Sequence, residues 1–333
     1  MVALAPGSAP SLWRAAKWQG PALDPVYRFC SNRQSASACN WLIEVAGPRA
    51  LTDSVETPCL ACRLNRQMFD VTSAHNQLRW RELETAKRRL LSQLLALGLP
   101  VEVRAPGVHG IAFDMLEQLP SGKPVMTGHH DGVITLNVAE ADNAHREATR
   151  AAMHEPYRTL LGHFRHEIGH YYWDRLVRSS SERLTSFRTL FGDERADYAK
   201  ALQRHYREGP PPGWALTYIS SYASTHPWED WAETWAHYLH IMDTVETAAS
   251  FGIDAEEVEY EADPFEPRHL WRSDLPGAQE FLDLLNVWVQ LTQVMNELAR
   301  SMGQPDGYPF ILPYRAVSKL QFIHDTVARR SSD

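Results

Sequence analysis

Long apolar runs are absent from this chain. No stretch approaches the roughly 18 apolar residues that a membrane-spanning helix requires, and residues 1–20 lack the continuous apolar core of a secretory signal. These absences predict a cytoplasmic protein that does not bind membranes. Residues 1–20 also contain no acidic residue among their Ala, Ser and Arg, so a transit peptide is the alternative for this stretch.

Long basic blocks are absent too, and the formal net charge is only −8 over 333 residues. The one short run, Lys87-Arg88-Arg89, falls in a predicted helix, and we interpret it as a solvated face. We therefore expect no nucleic-acid partner. The composition, 44% hydrophobic and 10% aromatic, indicates a globular protein, and its length allows two domains.

Cysteine is scarce and confined to one region, as Cys30, Cys39, Cys59 and Cys62. Their spacing is C-x8-C-x19-C-x2-C, in which only the last pair has the tight spacing of a metal-binding turn. A structural zinc ion held by all four thiolates is the favoured interpretation. Two disulfides and four unconnected thiols are the alternatives. A site closed by four thiolates would contribute to folding and perform no chemistry.

The stretch from Arg158 to Val177 contains an H-E-x-x-H motif, from His166 to His170. On a helix, residues four apart lie on the same face, so both imidazoles can reach one Zn²⁺ ion. Glu167 would then stand beside the position of a water molecule and act as general base. The alternative is a surface helix that carries two histidines by chance. Apolar flanks favour a buried helix instead: Leu160, Leu161, Phe164, Ile168, Tyr171, Tyr172 and Leu176.

A third protein ligand is needed, and two carboxylates are candidates. Glu194 is closer in sequence, whereas Glu229 opens an aromatic helix from Pro227 to His240. Both lie in the first turn of a predicted helix, where any acid is favourable. Glu233 lies one turn beyond Glu229, placed to accept the outward N–H of a ligand histidine, as carboxylates near metal sites commonly do. This spacing favours Glu229 over Glu194.

Helices dominate the remaining prediction, with a few short strands. Residues 132–138 form the clearest strand, either a sheet edge to which a peptide can add or a plain internal strand. Residues 254–267 are acidic and predict an exposed insertion. Further strands are expected at 101–103 and 111–113, and further helices at 76–97, 187–206, 281–302 and 316–328. The leucines at helical spacing in 76–97, Leu78 among them, and those in 281–302, Leu298 among them, are expected in the core. The expected organisation is a flexible tail at 1–25, a zinc-ribbon-like module at 26–70 and one large domain at 71–333.

These motifs resemble the bacterial family of zinc-binding metallopeptidases with an N-terminal zinc ribbon, over about Tyr27 to His324. The resemblance rests on four runs: His163 to Trp173, His226 to Glu233, Cys39-Asn-Trp41 and Cys59 to Asn65. The catalytic half also resembles zinc peptidases of the Mlc titration factor A type, in which a distant E-F-F-A-like segment supplies a glutamate ligand. That segment corresponds here to Glu229-Asp-Trp-Ala232. The chain departs from the family in lacking C-x-x-C pairs upstream of Cys30, so its ribbon is either reduced or incomplete at its start.

The resemblance implies a zincin-like, mainly helical α+β peptidase domain with one catalytic and one structural zinc ion. A tyrosine seven residues before the glutamate faces the metal in that group, which carries over to Tyr222. We expect His166, His170 and Glu229 to bind zinc, Glu167 to act as base and Tyr222 to stabilise the oxyanion. The expected partners are a peptide or protein substrate, and a protein that docks on the ribbon. The alternatives are a non-catalytic, regulatory zinc-binding protein with the same fold, and a hydrolase of non-peptide amides.

Overall fold

A computed structural model describes residues 26–45, 57–118, 122, 124–153, 155–253 and 263–329, together with the backbone of 4–6 and 13–15. The predicted insertion at 254–267 and the predicted tail at 1–25 therefore lie largely outside the described residues. The chain divides into two compact units, the first formed by 1–92 and 101–146 and the second by 93–100 and 147–333. Among the described residues, no helix is both long and apolar enough to cross a bilayer.

The first unit contains an antiparallel four-stranded sheet in the order β1-β2-β3-β4. Its strands are β1 (Leu4–Pro6), β2 (Trp13–Ala15), β3 (Val26–Phe29) and β4 (Leu42–Glu44). A 3-10 turn at Ser31–Gln34 follows β3, and the short helix α1 spans Leu60–Arg63. Cys30 is the N-cap of the 3-10 turn and Cys39 follows that turn, whereas Cys59 is the N-cap of α1 and Cys62 lies within α1.

A second sheet of the same unit has the order β5-β6-β8-β7. Its strands are β5 (Asn65–Gln67), β6 (Ala112–Leu116), β7 (Gly128–His130) and β8 (Val133–Asn137). The strand predicted at 132–138 is confirmed as β8, but it is internal, parallel to β6 and antiparallel to β7. Its suggested role as a peptide-binding edge is therefore wrong. The strand predicted at 101–103 is only a bridge between Val103 and Ile111.

The long helix α2 (Ala74–Ala96) confirms the prediction for 76–97, with Leu83, Leu90, Leu91 and Leu94 fully buried. Leu78 is 59% exposed, so its assignment to the core is wrong. The interpretation of the basic run as a solvated face is also wrong for two of its three residues, since only Arg89 is exposed. Lys87 and Arg88 are buried, and the Lys87 ammonium lies 2.5 Å from the buried Glu84 carboxylate. Spacing alone did not reveal this pairing, which neutralises the charge inside the unit.

Helices form most of the second unit, which confirms a mainly helical α+β architecture. They are α3 (Asn143–Ala152, shared with the first unit), α4 (Leu160–Trp173, continued by a π-helical turn at Asp174–Arg178), α5 (Ser181–Leu190), α6 (Tyr198–Glu208), α7 (Pro227–Ser250), α8 (Ala278–Ser301) and α9 (Tyr314–Ala328). The single helix predicted over 187–206 is wrong. Gly192, at φ +105°, breaks it, and Asp197 caps the new helix α6 by accepting from Lys200 N–H.

The pair α4 and α7 forms the centre of the second unit. Their backbones approach closely at Gly169, where an added Cβ would lie 3.2 Å from Ala232 Cα and 3.1 Å from Trp235. The Trp231 indole N–H also donates to the Gly169 carbonyl at 2.8 Å. The small residue within H-E-x-x-H thus lets the aromatic helix lie directly against the histidines. Both predicted helices are confirmed as largely buried.

Helix α9 packs against α7 and forms a buried ion pair with it. Lys319 of α9 lies 2.6 Å from Asp230 of α7, and both side chains are almost completely buried. Such a pair is costly to break, because either charge alone would be buried without a partner. The predicted helices at 281–302 and 316–328 are confirmed as α8 and α9. Leu298, predicted in the core, is instead 62% exposed near the end of α8.

Candidate metal centres

The four cysteine sulfurs form one cluster in the first unit. Cys30 Sγ lies 3.7 Å from Cys62 Sγ, and Cys39 Sγ lies 3.7 Å from Cys59 Sγ. A disulfide requires about 2.05 Å between sulfurs, so these pairs are not bonded to each other. Cys30 Sγ also accepts hydrogen bonds from the backbone N–H of Asn32 and of Cys59.

The donor set and its dimensions fit zinc. Thiolates about 2.3 Å from a tetrahedral centre lie roughly 3.8 Å apart, close to the two distances here. Hydrogen bonds from Cys59 and Cys62 lower the pKa of Cys39, and the same contacts raise the pKa of Cys59 and Cys62, so hydrogen bonding among the sulfurs favours one thiolate. Because three of the cysteines are buried and the fourth partly so, a metal there would be enclosed by protein.

The second cluster brings His166, His170 and Glu229 together in the second unit. His166 Nε2 lies 3.0 Å from Glu229 Oε2, and His170 Nε2 lies 3.6 Å from Glu229 Oε1. One turn of α4 supplies both imidazoles, and the first turn of α7 supplies the carboxylate. Two imidazoles and one carboxylate are a donor set that catalytic zinc sites use.

Glu229 is buried, with only 1% of its surface exposed. Its Oε1 accepts a hydrogen bond from the Tyr198 hydroxyl at 2.8 Å, while no hydrogen-bond donor reaches the buried Oε2 among the described residues. Burial alone would raise the pKa of Glu229, but His170 and His166 outweigh it and hold the pKa well below its usual value. The anionic Oε2 facing the imidazoles is therefore suited to a cation.

Glu233 supports the first histidine from outside the cluster. Its Oε1 lies 2.6 Å from His166 Nδ1, and its Oε2 accepts from the Ser220 hydroxyl at 2.6 Å. A carboxylate at Nδ1 fixes the imidazole with its Nε2 directed toward Glu229. This geometry agrees with the helical spacing of Glu229 and Glu233.

Glu167 lies on α4 between the two histidines and is itself buried. Burial raises the pKa of its carboxyl above the usual value, and the neighbouring His166 and His170 partly oppose that rise. A raised pKa lies closer to neutral pH, where a carboxyl can both accept and release a proton. Glu167 can therefore exchange protons beside the cluster.

The other two predicted residues occupy different places. The Tyr222 ring centroid lies 6.0 Å from that of His166, so its phenol borders the cluster. Glu194 lies outside both α5 and α6 and pairs with Arg188, whose Nε is 2.9 Å from Glu194 Oε2. The structure thus groups Glu229, and not Glu194, with the two histidines.

Three residues near the cluster were missed from the sequence: Tyr198, His226 and Trp228. The Trp228 ring packs on the His170 ring at 4.1 Å between centroids. His226 is the N-cap of α7, where its Nδ1 accepts from the Trp228 backbone N–H at 3.1 Å. Pro227 at the first helical position was a signal for this cap. Tyr198 had no such signal, because its contact with Glu229 joins residues 31 apart in sequence.

Comparison with known proteins agrees with the two clusters. Residues 76–326 match the family model described as putative zinc-binding metallo-peptidase, and residues 1–73 match a zinc-ribbon domain. The chain is 42% identical over 311 residues to the uncharacterized protein Rv2568c of Mycobacterium tuberculosis (strain ATCC 25618 / H37Rv) and to Mb2598c of Mycobacterium bovis, matches that cover 93% of this chain and 85% of each relative. No solved structure matches significantly. The chain belongs to the family of putative zinc-binding metallo-peptidases that carry an N-terminal zinc ribbon.

Proposed function

We propose that this chain is a zinc-dependent peptidase whose active site is formed by α4 and the start of α7. The convergence of His166, His170 and Glu229 within 4.8 Å, with Glu167 on the same helix, is the observation that carries the proposal. A non-catalytic zinc site would have no need for the buried Glu167 carboxyl beside it. The family description supports the same chemistry.

His166, His170 and Glu229 would hold the zinc ion. When bound, zinc supplies Lewis acidity, which polarises the scissile carbonyl and lowers the pKa of the attacking water. Glu233 and Ser220 keep the His166 ring oriented for this task. The four-cysteine cluster would hold a second zinc ion that stabilises the first unit and takes no part in hydrolysis.

Glu167 acts as general base and then as general acid. Its carboxylate accepts a proton from the attacking water as the new C–O bond forms, and later donates that proton to the leaving amine nitrogen as the C–N bond breaks. The Tyr222 hydroxyl donates a hydrogen bond to the oxyanion of the tetrahedral intermediate. Burial raises the pKa of Tyr222, so the phenol keeps the proton that it must donate.

A scan of peptide substrates, with and without a zinc chelator, tests the proposal. We expect the wild type to cleave peptides. The chelator should abolish this cleavage, added zinc should restore it, and the Glu167→Gln variant should show none. Cleavage of simple amides without any cleavage of peptides would move the activity to another class of substrate. Zinc binding without turnover on either class would contradict the proposal and favour a regulatory, zinc-binding role.

A further inference from the structure

Helix α6 borders the metal cluster, with the Tyr198 hydroxyl on Glu229 and the His205 ring 5.8 Å from the Tyr222 ring. None of its residues is buried, and it lies between two glycines with positive φ, Gly192 before it and Gly209 after it. The position of α6 is therefore not determined by a hydrophobic core of its own. Its first residue, Tyr198, nevertheless reaches the most buried carboxylate of the cluster, Glu229.

We infer that Tyr198 is a positioning residue of the metal site, which holds Glu229 so that Oε2 is presented to the metal. This inference rests on the proposed function and deepens it. The Tyr198 hydroxyl donates to Oε1 at 2.8 Å, and Oε2 is left facing His166 Nε2 at 3.0 Å. Without the phenol, the carboxylate would lose this hydrogen bond inside the protein and could rotate about its side-chain bonds.

The Tyr198 phenol remains a donor. The ordinary pKa of a tyrosine phenol is about 10, so the hydroxyl is protonated at neutral pH. A hydrogen bond to a charged acceptor is roughly twice as strong as one between neutral groups. Tyr198 can thus restrain Glu229 over the whole range in which the site would bind zinc.

His226 places Tyr198 at this point. Its Nδ1 faces the Trp228 backbone N–H, which can only donate, so Nδ1 accepts. Its Nε2 lies 3.0 Å from the Ala196 carbonyl, which can only accept, so Nε2 carries the proton. One neutral tautomer therefore joins the start of α7 to the segment before α6. The Tyr198 ring also packs edge-on against the His226 ring, at 5.3 Å between centroids.

The zinc dissociation constant of the peptidase site tests this role without any need for substrate. It is measured on the full chain by competition with a chelating dye, and the site is identified as the one that His166→Ala removes. Tyr198→Phe, which deletes a single oxygen atom, should raise the Kd about 10–100-fold, as expected for a partner of a metal ligand. Tyr206→Phe, on the same helix and without a hydrogen bond to Glu229, is the matched control and should keep the wild-type Kd.

A second variant separates positioning from damage to the fold. Asn is a favoured N-cap, so His226→Asn preserves the cap of α7 while removing the donor to Ala196. We expect a Kd raised in the same direction as in Tyr198→Phe, with an unchanged melting temperature for the zinc-saturated protein. A wild-type Kd in both variants would overturn the inference.

Turnover at saturating zinc distinguishes Tyr198 from Tyr222. Tyr198→Phe should then regain most of its kcat, whereas Tyr222→Phe should bind zinc normally and stay slow. A Tyr198→Phe variant with a normal Kd and a low kcat would assign Tyr198 to the oxyanion and overturn the positioning role. If the wild type binds zinc and cleaves nothing, the proposed function fails, while the comparison of Kd values still decides the role of Tyr198.

Discussion

The carboxylate of Glu233 and the imidazole of His166 lie 2.6 Å apart, between Oε1 and Nδ1. Because Glu229 faces the opposite nitrogen of the same ring at 3.0 Å, the imidazole is held between two acids one helical turn apart. Burial alone would lower the pKa of His166, but the facing carboxylates of Glu229 and Glu233 outweigh it and raise that pKa. Zinc would have to displace a proton from this arrangement.

Removal of the outer acid should weaken zinc binding without abolishing it. Glu233→Ala leaves all three proposed ligands in place but releases the His166 ring, so we expect a zinc affinity about 10–100-fold lower. Ser220→Ala removes one donor to Glu233 and should have a smaller effect in the same direction. Chelator competition measures both, and an unchanged affinity in Glu233→Ala would show that Glu233 does not orient the ring.

The proposed base can be removed with little change in shape. Glu167→Gln replaces a carboxylate by an amide that cannot accept the proton from water, so turnover should fall by at least about 10²–10⁴-fold. The zinc content and melting temperature should stay near wild type, because Glu167 is not one of the proposed ligands. Turnover close to wild type would remove Glu167 from the mechanism.

The cysteine cluster should behave as a separate site. Cys59→Ser or Cys62→Ser is expected to release about one zinc ion per chain and to destabilise the first unit, since closed thiolate sites contribute folding energy locally. The zinc at the histidines should remain. Free reaction of all four cysteines with a thiol reagent in native, metal-replete protein would contradict the existence of this site.

Acid should destabilise the second unit partly through His237. Burial lowers the pKa of His237 to about 4, against the opposing charge of Glu233, and Tyr308 and His240 are its other polar neighbours. The unfolded chain has a His pKa of about 6.5, so it binds a proton first as the pH falls below that value. The contribution of neutral His237 to the free energy of unfolding is therefore fully present above about pH 6.5 and is lost as the pH falls toward 4.

The magnitude follows from the same pKa values. From pH 7 to pH 5 this one residue should cost about 2 kcal/mol of unfolding free energy. Denaturant unfolding of the metal-stripped wild type and of metal-stripped His237→Gln measures this loss of unfolding free energy. Metal release then contributes to the unfolding of neither protein. The loss between the two pH values should be smaller in the variant, and an equal loss in both proteins would show that His237 does not titrate in this range.

Sequence spacing predicted which side chains share one face of a helix. It did not predict contacts between segments that are distant in sequence. The i, i+4 spacings of His166 with His170 and of Glu229 with Glu233 were visible in the sequence, as was the buried strand at 132–138. The position of that strand within the sheet was not, because it depends on β7, which pairs with it through only three residues. The periodicity of a helix likewise identifies an apolar face but not where a neighbour covers it, so Leu78 and Leu298 were misassigned.

Two contacts of buried charged groups show the same limit: that of Lys87 with Glu84, and that of Glu229 with Tyr198. Lys87 was interpreted as part of a solvated helix face, yet Glu84 on the same helix neutralises it inside the protein. Tyr198 reaches Glu229 across a break in the helical pattern at Gly192, and no spacing rule connects the two. Contacts of this kind are a property of packing, and they determine the details of the metal cluster.

The choice of Glu229 over Glu194 tests the central claim most directly. Zinc per chain and peptide turnover are measured together in Glu229→Ala and Glu194→Ala. Glu229→Ala should lose the zinc of the peptidase site and all turnover. Glu194→Ala breaks only a partly exposed pair with Arg188, so it should keep zinc and activity at a cost of about 1 kcal/mol or less in stability. Full zinc occupancy and turnover in Glu229→Ala, or their loss in Glu194→Ala, would contradict the account.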